Sequence, residues 1–167
     1  LQENSICHIV DFPANLNQEL KDKLLIYMNQ INENIGGQGV FAFEFFETKN
    51  GDLLINEAAP RVHNSYHLSI EGFDRSQFDL LIDTALGLEV KSIKQIYPFL
   101  SMINLLGQRD SSHYQLTFPE ILGDVNYKIH MYGKKESTKG RKLGHITLYS
   151  KKEVSKFASK IKSEYQL

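Results

Sequence analysis

The pattern of apolar residues in the first part of the chain predicts a short strand followed by an amphipathic helix. The strand covers Ser5 to Val10. In the helix that follows, apolar side chains recur every three or four residues, as one face of an α-helix requires: Leu20, Leu24, Met28, Ile31 and Ile35. Asn15 or Asn17 can cap its start, and Gly36 and Gly37 end it.

The same pattern predicts a second helix from about Ser76 to Leu86, with Asp74 or Ser76 as its cap. Its core-facing residues would be Phe78, Leu81, Ile82 and Ala85. Beyond Pro98 the pattern indicates strands over 99–107, 125–135 and 140–150, a helical turn near 119–122, and a basic helix over about 151–165. The expected fold class is α+β, an antiparallel sheet with helices followed by a small β-rich domain. A soft boundary near residues 90–98 separates residues 1–95 from residues 96–167.

Between the two predicted helices, residues 39–60 read "GVFAFEFFETKNGDLLINEAAP", which predicts a β-hairpin around Asn50-Gly51. A two-residue loop at this dipeptide would define three opposed pairs: Thr48 with Leu53, Phe46 with Ile55, and Glu44 with Glu57. Two carboxylates would then face each other across the strands, an arrangement that destabilises a sheet unless a cation or a proton separates them. A divalent cation such as Mg²⁺ resolves the conflict and keeps positions for water and phosphates. The alternative is a longer loop, a shifted register and two solvated glutamates.

The residues after Glu57 are unusually rich in groups that bind anions. Pro60 ends the strand, and Arg61, His63 and Asn64 follow near that end. Arginine has a planar fork of donors suited to phosphate or carboxylate oxygens, while histidine and asparagine add directional hydrogen bonds. This set suits stabilisation of an acyl-phosphate type intermediate. As an alternative, His63 and His67 are surface histidines and Arg61 pairs with Glu71 or Asp74.

Composition and charge exclude several classes of function. The 167 residues are 41% hydrophobic and 23% charged, which suits a globular, soluble protein of one domain or two small ones. The formal net charge is −1, so no broad basic field favours a nucleic acid or membrane partner. Cys7 is the one cysteine, which excludes an internal disulfide, and no apolar run approaches the roughly 20 residues of a membrane span. We therefore expect a cytoplasmic protein. The chain begins with Leu1 and lacks a signal-peptide pattern, so it looks like a piece of something longer.

Residues 39–79, together with the later "MYGKKESTKGRKLGHITL", resemble the 5-(carboxyamino)imidazole ribonucleotide synthase family of ATP-grasp ligases. The resemblance implies the carboxyl-terminal part of an ATP-grasp domain followed by that family's final domain. It also implies an ATP-dependent ligase of purine biosynthesis that carboxylates aminoimidazole ribonucleotide with bicarbonate. The amino-terminal domain and the other ATP-grasp lobe would precede Leu1, and the full enzyme would be a homodimer.

The resemblance also implies roles for individual residues. Glu44 and Glu57 would be Mg²⁺ ligands bridging the ATP phosphates, and Asn56 would lie beside the nucleotide with Glu57. Arg61, His63 and Asn64 match the site for bicarbonate and the carboxyphosphate formed from it. The residues that match or adjoin the site for the 5-phosphate of aminoimidazole ribonucleotide are Lys134, Arg141 and Lys142. From the residues alone, this lysine-rich turn is either a local anion site or a solvated loop.

Two departures from the family pattern stand out. Tyr66 occupies a position where the family usually has glycine, and Thr138 and Lys139 stand where it usually has arginine and proline. Other hypotheses stay open: another ATP-grasp ligase, of the formate-dependent glycinamide ribonucleotide transformylase or biotin carboxylase type, or a folded fragment without activity. ATP-grasp chemistry needs both lobes around the nucleotide, so we expect the isolated chain to turn nothing over.

Overall fold

The computed structural model describes residues 1–3, 5–117 and 125–165. The described strands are β1 (Gln2–Glu3), β2 (Ile6–Cys7), β3 (Ile9–Phe12), β4 (Ala42–Glu47), β5 (Leu53–Ala59), β6 (Phe99–Leu106), β7 (Asn126–Met131) and β8 (Lys142–Ser150). The described helices are α1 (Gln18–Asn34), α2 (Ser69–Gly72), α3 (Gln77–Ala85) and α4 (Ser155–Glu164), with a 3₁₀ turn at Asn64–Tyr66. This mixture of helices and antiparallel sheets confirms the predicted α+β class. The helical turn predicted at 119–122 lies outside the described residues.

The main sheet is antiparallel, with the strand order β3-β6-β8-β7. β6 and β8 lie in its centre and are almost entirely buried, which explains their apolar sequences. One face packs against α4 and forms the larger core, which contains Ile103, Leu105, Ile146, Leu148 and Ala158. The other face carries Leu100 and Met102 against Leu68, and it also presents Asn104 toward the loop after β5. Both faces of the sheet are therefore covered, one by a helix and one by the candidate site.

Strand β3 lies on the other side of the predicted boundary from the strand with which it pairs. Ile9 to Phe12 pair antiparallel with Ile103 to Leu100 of β6. Residues from the first segment thus complete the sheet of the second. The division at residues 90–98 stays a prediction.

The helix caps follow the sequence closely, whereas one predicted buried face does not. The Asn17 side chain accepts from the Leu20 amide at the start of α1, and Ser76 forms a capping box with Asp79 at the start of α3. On α3, however, the prediction that Leu81, Ile82 and Ala85 face the core is wrong, because all three are exposed. The helix packs through its first turn against α2 and the loop before it, which turns this apolar face outward.

Candidate functional site

The β4–β5 hairpin brings the predicted acid pair together, but its loop and its strand register differ from those predicted. Thr48 N donates to Asp52 O at 2.8 Å, so the loop has three residues, and Gly51 has a φ of +78° that favours glycine. The predicted pairs of Phe46 with Ile55 and Thr48 with Leu53 are therefore wrong. Phe46 instead faces Leu54. The loop is longer than the Asn50-Gly51 signal implies, because Lys49 is part of it.

A β-bulge then restores the predicted pairing of the two glutamates. Phe45 faces Ile55 while Glu44 faces Glu57, so Asn56 is an extra residue in β5. The longer loop alone would have placed Asn56 opposite Glu44, whereas the bulge returns Glu57 to that position. The opposition of Glu44 and Glu57 is confirmed. The Asn56 amide donates to Glu44 Oε2 at 3.2 Å.

The two glutamates surround the imidazole of His63. Its Nδ1 lies 3.5 Å from Glu44 Oε1 and its Nε2 lies 3.6 Å from Glu57 Oε1. Arg61 reaches the same glutamate, with its guanidinium 3.8 Å from Glu57 Oε1. The alternative pairing of Arg61 with Glu71 or Asp74 is not the one formed. The side chain of His63 is 13% exposed, compared with 62% for Arg61, so the histidine is the fixed member of the group and the arginine lies at its rim.

The donors at this pair suit a hard divalent cation. The carboxylates of Glu44 and Glu57 lie on opposed positions, and the Asn56 side chain adds an amide beside them. Among the residues described here, no group of three or more histidine, cysteine, aspartate or glutamate side chains could hold a metal ion. Two carboxylates without a closed cage are the donor set that Mg²⁺ typically uses when water and phosphates complete its coordination. The two opposed carboxylates therefore supply the oxygen donors that Mg²⁺ takes.

The backbone of His63 is held by the side chain of Gln77, a residue that the sequence did not single out. Gln77 begins α3, is 3% exposed, accepts from His63 N at 2.8 Å and donates to His63 O at 2.9 Å. The same amide nitrogen lies 2.8 Å from Nδ1 of His67. Because burial removes water as an alternative partner, these bonds fix where His63 points. In the sequence, the signal that could have identified Gln77 was its position as a polar residue directly after the Ser76 cap.

Asn64 connects the acid pair to the main sheet. Its amide exchanges two hydrogen bonds with Asn104, at 2.9 and 2.8 Å, and its Nδ2 lies 3.5 Å from Tyr132 Oη. Lys142 Nζ donates to Asn64 Oδ1 at 2.8 Å. The predicted residues Asn64 and Lys142, which are far apart in the sequence, therefore meet. Asn104 was missed, although a polar residue within the apolar strand "FLSMINLL" was a visible signal.

Three polar side chains form a row across the sheet beneath Asn64. Asn104 of β6 faces His145 of β8, which in turn faces His130 of β7. The two imidazoles stack with ring centroids 4.6 Å apart, and His145 Nδ1 lies 2.9 Å from Tyr132 Oη. His130 Nε2 lies 2.7 Å from a carboxylate oxygen of Glu71. The row continues the site into the interior of the protein.

Burial controls the protonation of this region. It lowers the pKa of His145 to about 3, and the neighbouring His130 and His67 add to the effect. Burial also lowers the pKa of His67 to about 4, with contributions from Lys142, His63 and His130. The pKa of Tyr132 is raised to about 12 by burial, against the opposing hydrogen bond from Asn64. Near neutral pH, His67, His145 and Tyr132 are therefore all uncharged.

We expect the stability of the fold to decrease as the pH falls from about 6.5 toward about 4. In this window the unfolded chain binds protons at His67 and His145 while the folded chain does not, so acid favours unfolding. Each group contributes up to about 1.4 kcal/mol per pH unit. Urea unfolding of His145→Gln at several pH values should show a weaker acid dependence. Substitution of the exposed His113 by Gln is the matched control and should leave the dependence unchanged.

The predicted phosphate-binding residues do not all lie together. Lys134 and Arg141 are exposed, and Arg141 donates to the carbonyl of Glu136 at 3.2 Å. Lys142 is half-buried and points to Asn64 instead. Tyr66 adopts the ordinary helical conformation of the 3₁₀ turn and packs on Phe73, with ring centroids 5.7 Å apart.

Two family models match this chain in succession. Residues 1–78 match the ATP-grasp domain, and residues 101–156 match the phosphoribosylaminoimidazole carboxylase C-terminal domain. In the part of the chain that is described, no helix is both long and apolar enough to cross a membrane.

Among curated proteins, the chain is 34% identical over 153 residues to N5-carboxyaminoimidazole ribonucleotide synthase of Bacillus subtilis, covering 92% of this chain and 39% of that protein. It is 36% identical over 147 residues to the chloroplastic phosphoribosylaminoimidazole carboxylase of Vigna aconitifolia, covering 86% of this chain and 26% of that protein. Among solved structures, N5-carboxyaminoimidazole synthase of Aspergillus clavatus, in complex with ADP and 5-aminoimidazole ribonucleotide, superposes with a TM-score of 0.75 at 29% identity. That match covers 91% of this chain and 41% of the solved one, so the chain spans less than half of each of these proteins.

Proposed function

The chain belongs to the N5-carboxyaminoimidazole ribonucleotide synthase family of ATP-grasp proteins, and we propose that it forms the carboxyl-terminal part of such a ligase. The reaction joins bicarbonate to the amine of 5-aminoimidazole ribonucleotide at the expense of ATP. Carboxyphosphate is the intermediate, and the products are 5-(carboxyamino)imidazole ribonucleotide, ADP and phosphate. We assign this activity to a protein of the length of the relatives, and we expect the isolated 167 residues to be inactive.

The observation that carries the proposal is the opposition of Glu44 and Glu57 around His63, with Arg61 at the rim. Like-charged side chains on opposed strand positions cost stability, so their presence next to an arginine and a histidine favours a functional role. We place the ATP phosphates beside both glutamates, with Asn56 in the bulge next to them. A magnesium ion bound by Glu44 and Glu57 would offset the negative charge of those phosphates.

Arg61 and His63 supply the electrostatic part of the proposed reaction. When the oxygen of bicarbonate attacks the γ-phosphorus of ATP, the bond from that phosphorus to the β-γ bridging oxygen breaks and ADP leaves. Negative charge spreads over the phosphoryl oxygens, and positioned donors stabilise it. Arg61 provides a fork of N–H donors, and His63 is held in place by Gln77.

Lys134 and Arg141 are proposed to bind the 5-phosphate of aminoimidazole ribonucleotide. Both are exposed near Gly133 and Gly140, which have φ values of +65° and +80° and allow the tight turns that present these basic side chains. No observation favours the alternative hypothesis, which is another ATP-grasp ligase. A homodimer and a cytoplasmic location stay predictions.

The proposal is tested with the full-length enzyme that contains this chain. We expect ADP release that depends on both bicarbonate and aminoimidazole ribonucleotide. Release that needs formate or biotin instead, or no release, would contradict it.

Arg141→Ala is expected to raise the KM for aminoimidazole ribonucleotide by roughly tenfold or more, because a charged hydrogen bond to the phosphate is lost. The KM for ATP should change little. Arg75→Ala is the matched control, since Arg75 pairs with Asp83 on α3. Equal increases in both KM values would place the phosphate site elsewhere.

A further inference from the structure

We propose that the face of the main sheet beneath the candidate site binds one internal water molecule, held by the side chains of Glu71, His145 and Thr147. In the described part of the chain, each of these side chains has one buried atom without a hydrogen-bond partner: Glu71 Oε2, His145 Nε2 and Thr147 Oγ1. The side chain of Glu71 is 8% exposed, and His145 and Thr147 are 2% and 0% exposed. Buried polar atoms normally have partners, and an internal water typically joins about three of them.

The sheet brings these three side chains to one face. His145 and Thr147 are two residues apart on β8, so they point to the same side of the sheet. Met102, which is opposite Thr147 on β6, marks this as the face that is not covered by α4. Glu71 belongs to α2, which packs against β8. Its Oε1 lies 2.7 Å from Nε2 of His130, the residue opposite His145 on β7.

The carboxylate of Glu71 extends over Thr147. At one end it contacts His130, in the row of residues that contains His145. At the other end it acts on Tyr149, whose pKa is raised by burial first, then by Tyr97 and by Glu71. His145 and Tyr149 flank Thr147 on this face of β8. We therefore place the second oxygen of Glu71 above Thr147, where one small molecule reaches all three unpartnered atoms.

The hydrogen bonds of His145 determine which of its nitrogens carries the proton. Its Nδ1 lies 2.9 Å from Tyr132 Oη. The amide nitrogen of Asn64 lies 3.5 Å from the same hydroxyl and can only donate, so the hydroxyl hydrogen of Tyr132 points toward His145. Burial lowers the pKa of His145 to about 3, so the ring is neutral near pH 7. Nδ1 is therefore the acceptor, and Nε2 carries the hydrogen.

The chemistry of the three atoms identifies water as the occupant. The occupant must accept from Nε2 of His145 and donate to Oε2 of Glu71, because a carboxylate oxygen only accepts. The hydroxyl of Thr147 can do either. Water can donate two hydrogen bonds and accept two, so it satisfies all three groups. A cation does not fit, because a nitrogen that carries a hydrogen has no lone pair for it.

The water would fix the ring of His145 from its second nitrogen. Tyr132 holds Nδ1, and the water connects Nε2 to Glu71 on α2. Rotation of the ring or a change of tautomer would then break hydrogen bonds at both nitrogens. Glu71 and Thr147 are therefore positioning residues, which act on Tyr132 through the water and His145.

The first test is a crystal structure of the full-length enzyme at a resolution that shows ordered water. We expect one solvent peak within about 3.2 Å of Glu71 Oε2, His145 Nε2 and Thr147 Oγ1. A direct hydrogen bond between Thr147 and Glu71, with no solvent peak, would overturn the inference. Crystals soaked in a rubidium salt distinguish water from a monovalent cation, since an anomalous peak at this position would also overturn it.

The second test measures the tautomer of His145 by NMR of the full-length enzyme labelled with ¹⁵N-histidine. We expect the hydrogen on Nε2, and a hydrogen on Nδ1 would overturn the inference. This spectroscopic signature does not depend on the activity of the enzyme.

Thr147→Val removes the hydroxyl and keeps the shape of the side chain. We expect the occupancy of the solvent peak to fall by about half or more, because the water loses one of three partners. Thr84→Val is the matched control, since the hydroxyl of Thr84 donates to the carbonyl of Leu80 within α3. The control should leave the peak and the tautomer unchanged. Full occupancy in Thr147→Val would remove Thr147 from the site and overturn the inference.

Discussion

Glu57→Gln is expected to lower bicarbonate-dependent ADP formation by the full-length enzyme by roughly a hundred- to a thousandfold. The substitution keeps the shape of the side chain and removes the charge that faces Glu44 across the hairpin. Stability should not fall, because the change removes a repulsion between opposed carboxylates. Glu44→Gln should behave in the same way. Activity is measured as ADP released with saturating bicarbonate and aminoimidazole ribonucleotide over a range of Mg²⁺ concentrations.

The matched control for these variants is Glu47→Gln. Glu47 lies on the same strand as Glu44, is exposed, and faces Leu53 rather than another acid. Its substitution should leave activity within about twofold of wild type, as is usual for surface positions. Turnover retained in Glu44→Gln or Glu57→Gln, with an unchanged dependence on Mg²⁺, would show that the acid pair does not hold the metal.

The second large effect is expected for Gln77→Ala, which should destabilise the protein by about 3 kcal/mol and also lower turnover. The truncation leaves the amide and carbonyl of His63 and Nδ1 of His67 without their partner. Each buried polar group left unpaired costs about 1–3 kcal/mol, and water recovers part of the total. Because the same bonds fix His63 between Glu44 and Glu57, stability and activity should fall together.

One further variant separates the hydrogen bonds from the volume of the side chain, and a second variant serves as its control. Gln77→Glu keeps an acceptor for His63 N and removes the donors, so it should be intermediate. Gln38→Ala, at an exposed position, is the control and should change neither quantity. The urea midpoint and kcat are the measurements. If Gln77→Ala kept the urea midpoint and the kcat of the wild type, the position of His63 would not depend on its hydrogen bonds with Gln77.

The sequence by itself determined the two strands of the hairpin and the side chains that they carry. A period of two with an Asn-Gly signal predicts two strands and a turn, which brings Glu44 and Glu57 to neighbouring positions on the two strands. The sequence also predicted the Asn17 and Ser76 caps, because capping depends on residues within one helical turn. Periodicity did not reveal which face of α3 is exposed, since packing partners distant in sequence decide that.

The tertiary structure alone decided how Glu44 and Glu57 came to oppose each other. The loop added a residue and the bulge at Asn56 compensated for it, so the predicted pairing is right although the predicted register beyond it is wrong. A bulge depends on the twist and packing of both strands, and neither is contained in the alternation of residues along one of them.

The second group of site residues needed the fold as well. Lys142 meets Asn64, and Gln77 meets His63, through contacts between elements that are separate in the sequence. The sequence indicated which residues carry charge and which can donate or accept, because those properties belong to the side chains themselves. Only the register of β8 on β6 and the position of α3 determined which of them meet, because long-range packing sets both.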